Sequence, residues 1–211
     1  MLPGRTFIAR HGETVFNAVG RMQGQLQIHT PLTSRGFAQA EAMGHALAAW
    51  LGDGATLDLW SSTAGRALQT LAIVAEHIDA DWHAARTDDR LQEIDVGTWS
   101  GRSYAEIECE IGTFVDTREA LFTQAAPGGE GYADVALRLR SWIEAASALP
   151  GDRLVLMHGM SARVLRGLLL GLPSNPRWGA AVAGNLPQGS MVVIEDVRES
   201  IVCRGYGVVH A

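Results

Sequence analysis

The amino-acid sequence predicts an α/β fold, a three-layer α/β/α sandwich in which helices cover both faces of a largely parallel central sheet. Two observations favour this fold. Short apolar runs, which are typical of buried strands, alternate with longer segments whose apolar residues recur every three or four positions. Two of the runs also end at the same dipeptide, His-Gly. We assign residues 1–211 to a single domain, with a small insertion at about residues 97–131.

The apolar runs predicted to be strands lie at residues 6–9, 57–60, 154–157, 190–194 and 200–203. Arg10 and His11 follow the first run, and His158 and Gly159 follow the third. The carboxyl ends of parallel strands meet at one edge of an open α/β sheet, where ligands bind. We therefore expect the two histidines to lie together at this edge. Arg66 follows the second run, so the same edge is predicted to form a pocket for an anion.

Helices are predicted between and after these strands, each with an apolar face that can cover the sheet. The first begins near Ser34, a candidate N-cap, and ends at Gly52. The third is stopped by Pro150-Gly151, and the fourth runs from His158-Gly159 to Gly171. The four apolar faces consist of Phe37, Ala40, Gly44, Leu47 and Leu51; of Leu68, Leu71, Ala75 and Ile78; of Val135, Leu139, Trp142, Ala146 and Leu149; and of Val164, Leu165, Leu168 and Leu169.

The stretch from about residue 97 to 131 lacks a long helical period and is interrupted by Gly101, Gly112, Pro127, Gly128 and Gly129. We interpret it as a small helical insertion. Connecting segments on a rigid scaffold commonly carry specificity, so the insertion is expected over the mouth of the pocket, where it would shape the substrate cavity.

The composition excludes several classes of protein. The 17 basic residues are all arginine, which excludes a Walker phosphate loop, a protein kinase site and a pyridoxal Schiff base, because each requires a lysine. The net charge of −6 disfavours nucleic acid and anionic membranes as partners. Any anion must therefore be attracted by a local group of positively charged side chains.

The two cysteines, Cys109 and Cys203, are isolated in sequence, so a disulfide framework is not expected and a reduced cytoplasmic setting fits. Candidate catalytic residues begin at position 10, which leaves no room for a signal peptide. No apolar stretch approaches the roughly 20 residues that span a bilayer. We expect a cytoplasmic protein.

Six motifs together resemble the histidine phosphatase superfamily, in the order in which that family carries them. They are Arg10-His11-Gly12-Glu13-Thr14 with Asn17, Arg21-Met22-Gln23-Gly24, Pro31-Leu32-Thr33, the segment from Ser61 to Thr70, Leu91-Gln92-Glu93 with Gly97-Thr98-Trp99, and His158-Gly159; Pro127-Gly128-Gly129-Glu130 adds to the match. The resemblance spans nearly the whole chain. It implies the α/β sandwich fold and chemistry on phosphate esters.

Attack on a phosphate monoester requires that its negative charge is neutralised and that the reacting atoms are held in line. Arg10 and Arg66 can each offer paired N–H donors to phosphoryl oxygens, so neither a metal nor another cofactor is required. The resemblance implies that His11 is the nucleophile and forms a phosphohistidine. It assigns His158 to donate to the phosphoryl oxygens, preferably as an imidazolium.

The match around Leu91 and Trp99 makes Glu93 the candidate proton donor to the leaving oxygen, and its carboxylate would then activate water. This role requires a pKa raised by the pocket. Other acidic residues compete for it, namely Glu13, Glu106, Glu108, Glu110 and Glu130.

Further residues are expected to bind substrate. The resemblance implies contacts from Asn17, Gln23 and Gly24, while Gly159 offers N–H groups at a helix start. The sequence departs from the family at His29, where an aspartate is common, and in a link after Gly24 that is about two residues longer. Trp99, Arg102 and Tyr104 either line the pocket or pin the insertion to the core. The remaining histidines, expected to be structural or solvated without metal-ligand spacing, are His29, His45, His77, His83 and His210.

Three functions remain: a metal-independent phosphatase of small phosphorylated metabolites, a phosphoglycerate mutase-like phosphotransferase, and a non-catalytic module that binds phosphorylated ligands. The last would have lost a catalytic residue, yet the five that the resemblance implies are present. Mutases of this family resemble one another in a long, basic insertion after the glutamate. Here the segment between Glu93 and His158 is short, and its basic residues are Arg102, Arg118, Arg138, Arg140 and Arg153. The sequence therefore favours the phosphatase.

Overall fold

The computed structural model describes residues 2–52 and 56–206, and its central feature is a six-stranded sheet with the order β3-β2-β6-β1-β7-β8. The strands are β1 (Thr6–Arg10), β2 (Asp58–Ser61), β3 (Arg86–Thr87), β4 (Val115–Asp116), β5 (Leu121–Phe122), β6 (Arg153–Met157), β7 (Met191–Glu195) and β8 (Arg198–Cys203). The helices are α1 (Val15–Ala18), α2 (Ser34–Leu51), α3 (Gly65–Glu76), α4 (Tyr104–Ile111), α5 (Tyr132–Ala146) and α6 (Gly159–Leu169). His210 lies outside the described residues.

The strands from β3 to β1 are parallel, and β7 pairs antiparallel with both β1 and β8, so β7 is the reversed strand of this six-stranded sheet. Alternate residues of each strand point to opposite faces, which produces two separate cores. Phe7 packs with Met43 of α2 on one face, whereas Ile8 packs with Trp142 of α5 on the other. The predicted α/β sandwich is confirmed.

Two details of the helices differ from the prediction. Thr33, not Ser34, caps α2, since its Oγ1 accepts the N–H of Gly36 at 3.1 Å. Phe37 was expected on the apolar face but is 46% exposed, because the buried face of α2 follows Ala40, Met43 and Leu47. Helical spacing alone does not determine which of the apolar residues on a helix contact the sheet.

The second predicted helix, α3, ends before the last residue of its apolar pattern. The insertion also contains less helix than expected. Ile78 lies beyond the end of α3. Residues 97–131 contain one α-helix, α4, and the two-stranded antiparallel hairpin of β4 and β5. The hairpin was missed because two-residue strands carry too few positions for an alternating pattern. Within the described ranges, no helix combines the length and apolar character needed to cross a bilayer.

Candidate active site

The two His-Gly strand ends lie side by side, as their positions predict. β1 and β6 pair in parallel with Arg10 opposite Met157, so the next residues, His11 and His158, extend from neighbouring positions at one edge of the sheet. Their ring centroids are 5.1 Å apart. Both residues are buried, with 4% and 0% of their surface exposed. The parallel register thus brings two buried imidazoles together at this edge of the sheet.

The His11 ring is held in one tautomer by the chain itself. Its Nδ1 lies 2.7 Å from the carbonyl oxygen of Gly12. A carbonyl only accepts, so Nδ1 carries the proton and Nε2 carries a lone pair. Burial, with the charges of Arg66 and Arg10, holds the pKa of His11 well below its ordinary value. His11 is therefore neutral at pH 7, the state that a nucleophile requires.

His158 is oriented by partners on both ring nitrogens. Arg66 donates its Nε–H to Nδ1 across 3.2 Å. Nε2 therefore carries the proton and donates to Oγ of Ser62 at 2.7 Å. Burial first, and then the charges of Arg66 and its neighbours, keep the pKa of His158 well below its ordinary value. The expected imidazolium is thus not the state of His158 in this pocket without a bound anion.

Arg10 is the last residue of β1, and its guanidinium lies against the start of α6. Its Nη1 donates to the carbonyl of Leu186 at 2.7 Å. A Cβ at Gly159 would lie 3.0 Å from Cζ of Arg10, a tight contact, so glycine at this helix start lets the guanidinium lie close to the backbone. Burial lowers the pKa of Arg10, and the charge of Glu93 partly offsets this effect.

Arg66 is buried at the start of α3 and is held by the loop that follows Gly24. Its Nη2 donates to the carbonyl of Gly24 at 3.2 Å, and its Nη1 donates to that of Gln27 at 3.0 Å. Burial lowers the pKa of Arg66 to about 10, so the group remains charged at neutral pH. Gly24 therefore acts on the site through its carbonyl, as a support for Arg66.

The Glu93 carboxylate reaches the first turn of α6. Oε1 accepts the N–H of Ser161 at 2.9 Å and that of Ile94 at 2.9 Å, and Oε2 accepts the N–H of Met160 at 3.1 Å. A carboxylate has about four acceptor positions, so one remains for a proton. Glu93 lines the same small pocket as Arg10 and His11.

A half-buried ion pair, Arg138 with Glu130, holds the backbone of Glu93. Arg138 donates from Nη2 to the Glu93 carbonyl at 3.1 Å and from Nη1 to that of Arg90 at 2.6 Å. Its Nε–H donates to Glu130 at 2.8 Å. Gln25 also donates to the Glu93 carbonyl, at 3.0 Å. Glu93 is thus fixed from α5 as well as from α6.

The model of the histidine phosphatase superfamily (branch 1) matches residues 6–206. The chain belongs to this superfamily. A probable phosphoglycerate mutase GpmB of Erwinia tasmaniensis is 32% identical over 177 residues, covering 81% of this chain and 77% of the relative. A probable GpmB of Proteus mirabilis is 30% identical over 176 residues, covering 81% and 76%.

Solved structures of similar fold cover almost the whole chain. Mycobacterial hydrolase 1 is 26% identical with a TM-score of 0.75, covering 97% of this chain and 100% of that one. A mycobacterial glucosyl-3-phosphoglycerate phosphatase in complex with VO3 is 27% identical with a TM-score of 0.74, covering 94% and 96%. Relatives thus carry both mutase and phosphatase names.

The other glutamates considered for the acid role are placed elsewhere. Glu13 accepts from Oγ1 of Thr33 at 2.8 Å and pairs with Arg35 at 3.1 Å. Glu108 is exposed on α4. The remaining three are in other contacts: Glu106 accepts the N–H of Ser103, Glu110 pairs with Arg102, and Glu130 pairs with Arg138.

Asn17 and Gln23 both line the pocket beside His11. Asn17 Oδ1 accepts the N–H of Thr14 at 3.1 Å and so also caps α1. Gln23 Oε1 accepts from the Thr14 hydroxyl at 2.9 Å, and its Nε2 is buried without a partner among the described residues. A buried N–H donor without a partner is costly, so Gln23 fits a bound anion.

The residues whose roles the sequence left open occupy different places in the structure. Trp99 is buried against Phe114 and pins the insertion to the core, and Arg102 faces Glu110, away from the pocket lining. Tyr104 lines the pocket, and burial raises its pKa, so its phenol stays protonated at neutral pH. His29 is exposed.

Sequence reasoning missed two residues that support the site, Ser62 and Arg138. Ser62 directly follows β2, at the same sheet edge as His158, which is a usable signal. Arg138 lies three residues after Val135 and four before Trp142, so it borders the buried face of α5. A charge at such a position indicates a partner inside the fold.

Among the described residues, the side chains close enough to share a metal ion lie outside this pocket. Among the described residues, the group of histidine and carboxylate side chains close enough to share an ion is Glu41, His45 and His77, which lies between α2 and the end of α3. The sequence analysis expected no metal-ligand spacing there, yet Glu41 and His45 are one helical turn apart.

Proposed function

We propose that the protein is a metal-independent phosphatase that hydrolyses phosphate monoesters of small metabolites through a phosphohistidine. One observation carries the proposal. The hydrogen bond from His11 Nδ1 to the Gly12 carbonyl leaves the Nε2 lone pair available, beside the positive charges of Arg10 and Arg66. A neutral imidazole between two guanidinium groups suits attack on a phosphoryl group.

In the first step, phosphoryl oxygens bind to Arg10, Arg66 and the N–H of Gln23. The Nε2 lone pair of His11 forms a bond to phosphorus as the bond to the leaving oxygen breaks. The leaving oxygen takes a proton from Glu93. The phosphorylated ring keeps its Nδ1 proton, and the Gly12 carbonyl stabilises the resulting positive charge.

The bound phosphoryl group also changes His158. Its negative charge favours the imidazolium, which takes its extra proton from solvent as the ester binds and returns it to solvent when phosphate leaves. Protonation at Nδ1 breaks the bond from Nε of Arg66, because that nitrogen no longer has a lone pair. His158 and Arg66 then both donate to the anion. The negative charge of the substrate thus promotes protonation of His158.

In the second step, the Glu93 carboxylate takes a proton from water as the water oxygen attacks phosphorus. The bond between phosphorus and His11 Nε2 breaks, and the electron pair returns to the nitrogen. Inorganic phosphate leaves, Glu93 is protonated again, and His11 is neutral. The cycle consumes one water and needs no metal or further cofactor.

The placement of the arginines supports hydrolysis over phosphoryl return to a second substrate hydroxyl. Of the basic residues between Glu93 and His158, Arg102 pairs with Glu110 and Arg138 with Glu130. The other three lie elsewhere: Arg118 is beside Glu119, Arg140 is exposed on α5, and Arg153 bonds to the carbonyls of Leu149 and Gly151. The pocket of a mutase must hold a second anion. In this protein, none of these five arginines lines the pocket that contains His11.

The mutase-like phosphotransferase is the second candidate, because the curated relatives are named as probable phosphoglycerate mutases. A non-catalytic role is disfavoured, since the five residues with catalytic chemistry are present together. The mycobacterial relative named a glucosyl-3-phosphoglycerate phosphatase supports hydrolysis and places phosphorylated glycerate derivatives in the substrate set to be tested.

The deciding experiment incubates the protein with 3-phosphoglycerate, with and without 2,3-bisphosphoglycerate, and measures both phosphate release and 2-phosphoglycerate. A panel of phosphorylated metabolites, ranked by kcat/KM, runs in parallel. We expect steady phosphate release without the bisphosphate and little interconversion. Efficient bisphosphate-dependent interconversion with negligible phosphate release would establish the mutase instead. The His11→Ala variant is the blank for both reactions.

We further propose a cytoplasmic protein whose partner is a small phosphorylated metabolite, not nucleic acid or membrane. The net charge of −6 supports this exclusion. Both Cys109 and Cys203 are free thiols, which suits a reducing compartment.

A further inference from the structure

Three metal-ligating side chains meet on the outer side of the layer formed by α2 and α3. Glu41 and His45 are one turn apart on α2, and His77 directly follows α3. One ligand atom from each lies within 4.8 Å of the others. His77 Nε2 is 2.5 Å from Oε2 of Glu41, and the centroids of the two imidazoles are 4.1 Å apart. Residues from two helices thus converge on one point.

The position of His77 is built into the packing of the two helices. A Cβ at Gly44 would lie 2.3 Å from Cδ2 of His77, so only glycine admits the ring at this point of α2. The His77 side chain is only 20% exposed. A ring held by packing loses little freedom when it binds a ligand. The cluster is therefore partly preorganised.

We infer that Glu41, His45 and His77 bind a divalent transition metal of the Zn²⁺ type. Two imidazole nitrogens and one carboxylate are a common donor set for zinc, whereas Mg²⁺ and Ca²⁺ prefer oxygen ligands alone. Zinc bonds of 2.0–2.1 Å in a tetrahedron separate the ligand atoms by about 3.3 Å. The contact between Glu41 and His77 opens slightly, and water fills the fourth position.

The bound metal links α2 to the end of α3 and stabilises this helix layer. None of its three ligands lines the catalytic pocket. The site is therefore independent of the proposed phosphatase reaction, which remains metal-independent.

The test measures thermal unfolding of EDTA-treated, dialysed protein as ZnCl₂ is added, beside isothermal titration calorimetry with the same salt. At a hundredfold excess over the dissociation constant, Tm should rise by roughly 5–10 °C. The His45→Ala and Glu41→Gln variants should lose most of this rise. The exposed His83 provides the matched control, since His83→Ala should respond like the unmodified protein. MgCl₂ at the same concentration should have little effect.

Zinc could also reach His11 and His158, so the calorimetric stoichiometry is compared between variants. His45→Ala should bind one Zn²⁺ fewer, while its hydrolysis of p-nitrophenyl phosphate in EDTA is unchanged. Glu41→Gln guards against misfolding, because it keeps the size of an exposed side chain. An unchanged Tm rise and stoichiometry in both variants, or an equal response to Mg²⁺, would overturn the inference.

Discussion

Arg66 donates its Nε–H to Nδ1 of His158 across 3.2 Å, so each fixes the other before any substrate binds. The bond requires that Nδ1 of His158 is unprotonated, so that it can accept the hydrogen. It also occupies one donor of the guanidinium, and carbonyls of the loop after Gly24 occupy two more. Because a guanidinium has five N–H donors, two of them remain for a phosphoryl group.

The acid limb of kcat/KM should lie below pH 6.5. His11 attacks only when neutral, and its lowered pKa keeps it neutral at pH 6.5, so activity is lost only as the pH falls through that lower value. The measurement is kcat/KM from pH 4.5 to 8, corrected for ionisation of the phosphate ester near pH 6. An enzyme group that titrates at or above pH 6.5 and removes activity on the acid side would contradict a neutral His11.

Replacing His11 by alanine should lower turnover by about 10⁴-fold or more, because it deletes the nucleophile. Rapid quench of the unmodified protein should trap acid-labile, base-stable phosphate on His11. The matched control is His29→Ala, since His29 is exposed and should be dispensable. Turnover that survives in His11→Ala would rule out the phosphohistidine.

The Glu93→Gln variant should distinguish substrates by leaving group. An alkyl alkoxide leaves poorly without a proton, so hydrolysis of an alkyl phosphate should fall by about 10²–10⁴-fold. Phosphoryl transfer from p-nitrophenyl phosphate to His11 should fall much less, because nitrophenolate leaves without help. Pre-steady-state bursts report this step. Equal losses for both substrates would assign the proton to another group.

Replacing Arg138 by alanine should lower kcat by roughly 10–100-fold with a smaller change in KM, because a small displacement of a catalytic group is enough to slow the reaction. Arg138 holds the Glu93 carbonyl at 3.1 Å. If it acts through Glu93, the loss should again be larger for alkyl than for aryl phosphates. Arg140→Ala, an exposed change on the same helix, is the control. A loss that is independent of the leaving group would indicate a purely structural role.

EDTA should leave phosphate release unchanged, and vanadate should inhibit competitively, because it can adopt a trigonal bipyramid similar to the transition state. The measurement compares initial rates after dialysis against EDTA with rates at increasing vanadate. Loss of activity that Mg²⁺ or Zn²⁺ restores would show that the reaction uses a metal.

The local sequence was sufficient to predict the fold and to place Arg10, His11 and His158 at one edge of the sheet. Short continuous apolar runs predicted the strands, and the His-Gly ends of β1 and β6 predicted the edge at which they meet. This worked because parallel strands of similar length end together. Arg10 is the last residue of β1, and His11 and His158 directly follow β1 and β6.

Tertiary structure decided everything that depends on contacts between distant segments. It set the tautomer and charge of His158 through Arg66 and Ser62, attached Arg138 to the backbone of Glu93, and turned Phe37 to solvent. It also brought His77 of one helix end against Gly44 of another helix. Sequence patterns report which face of an element is apolar, whereas hydrogen-bond partners and burial depend on how the elements dock. Protonation states follow from that docking, because desolvation and neighbouring charge determine them.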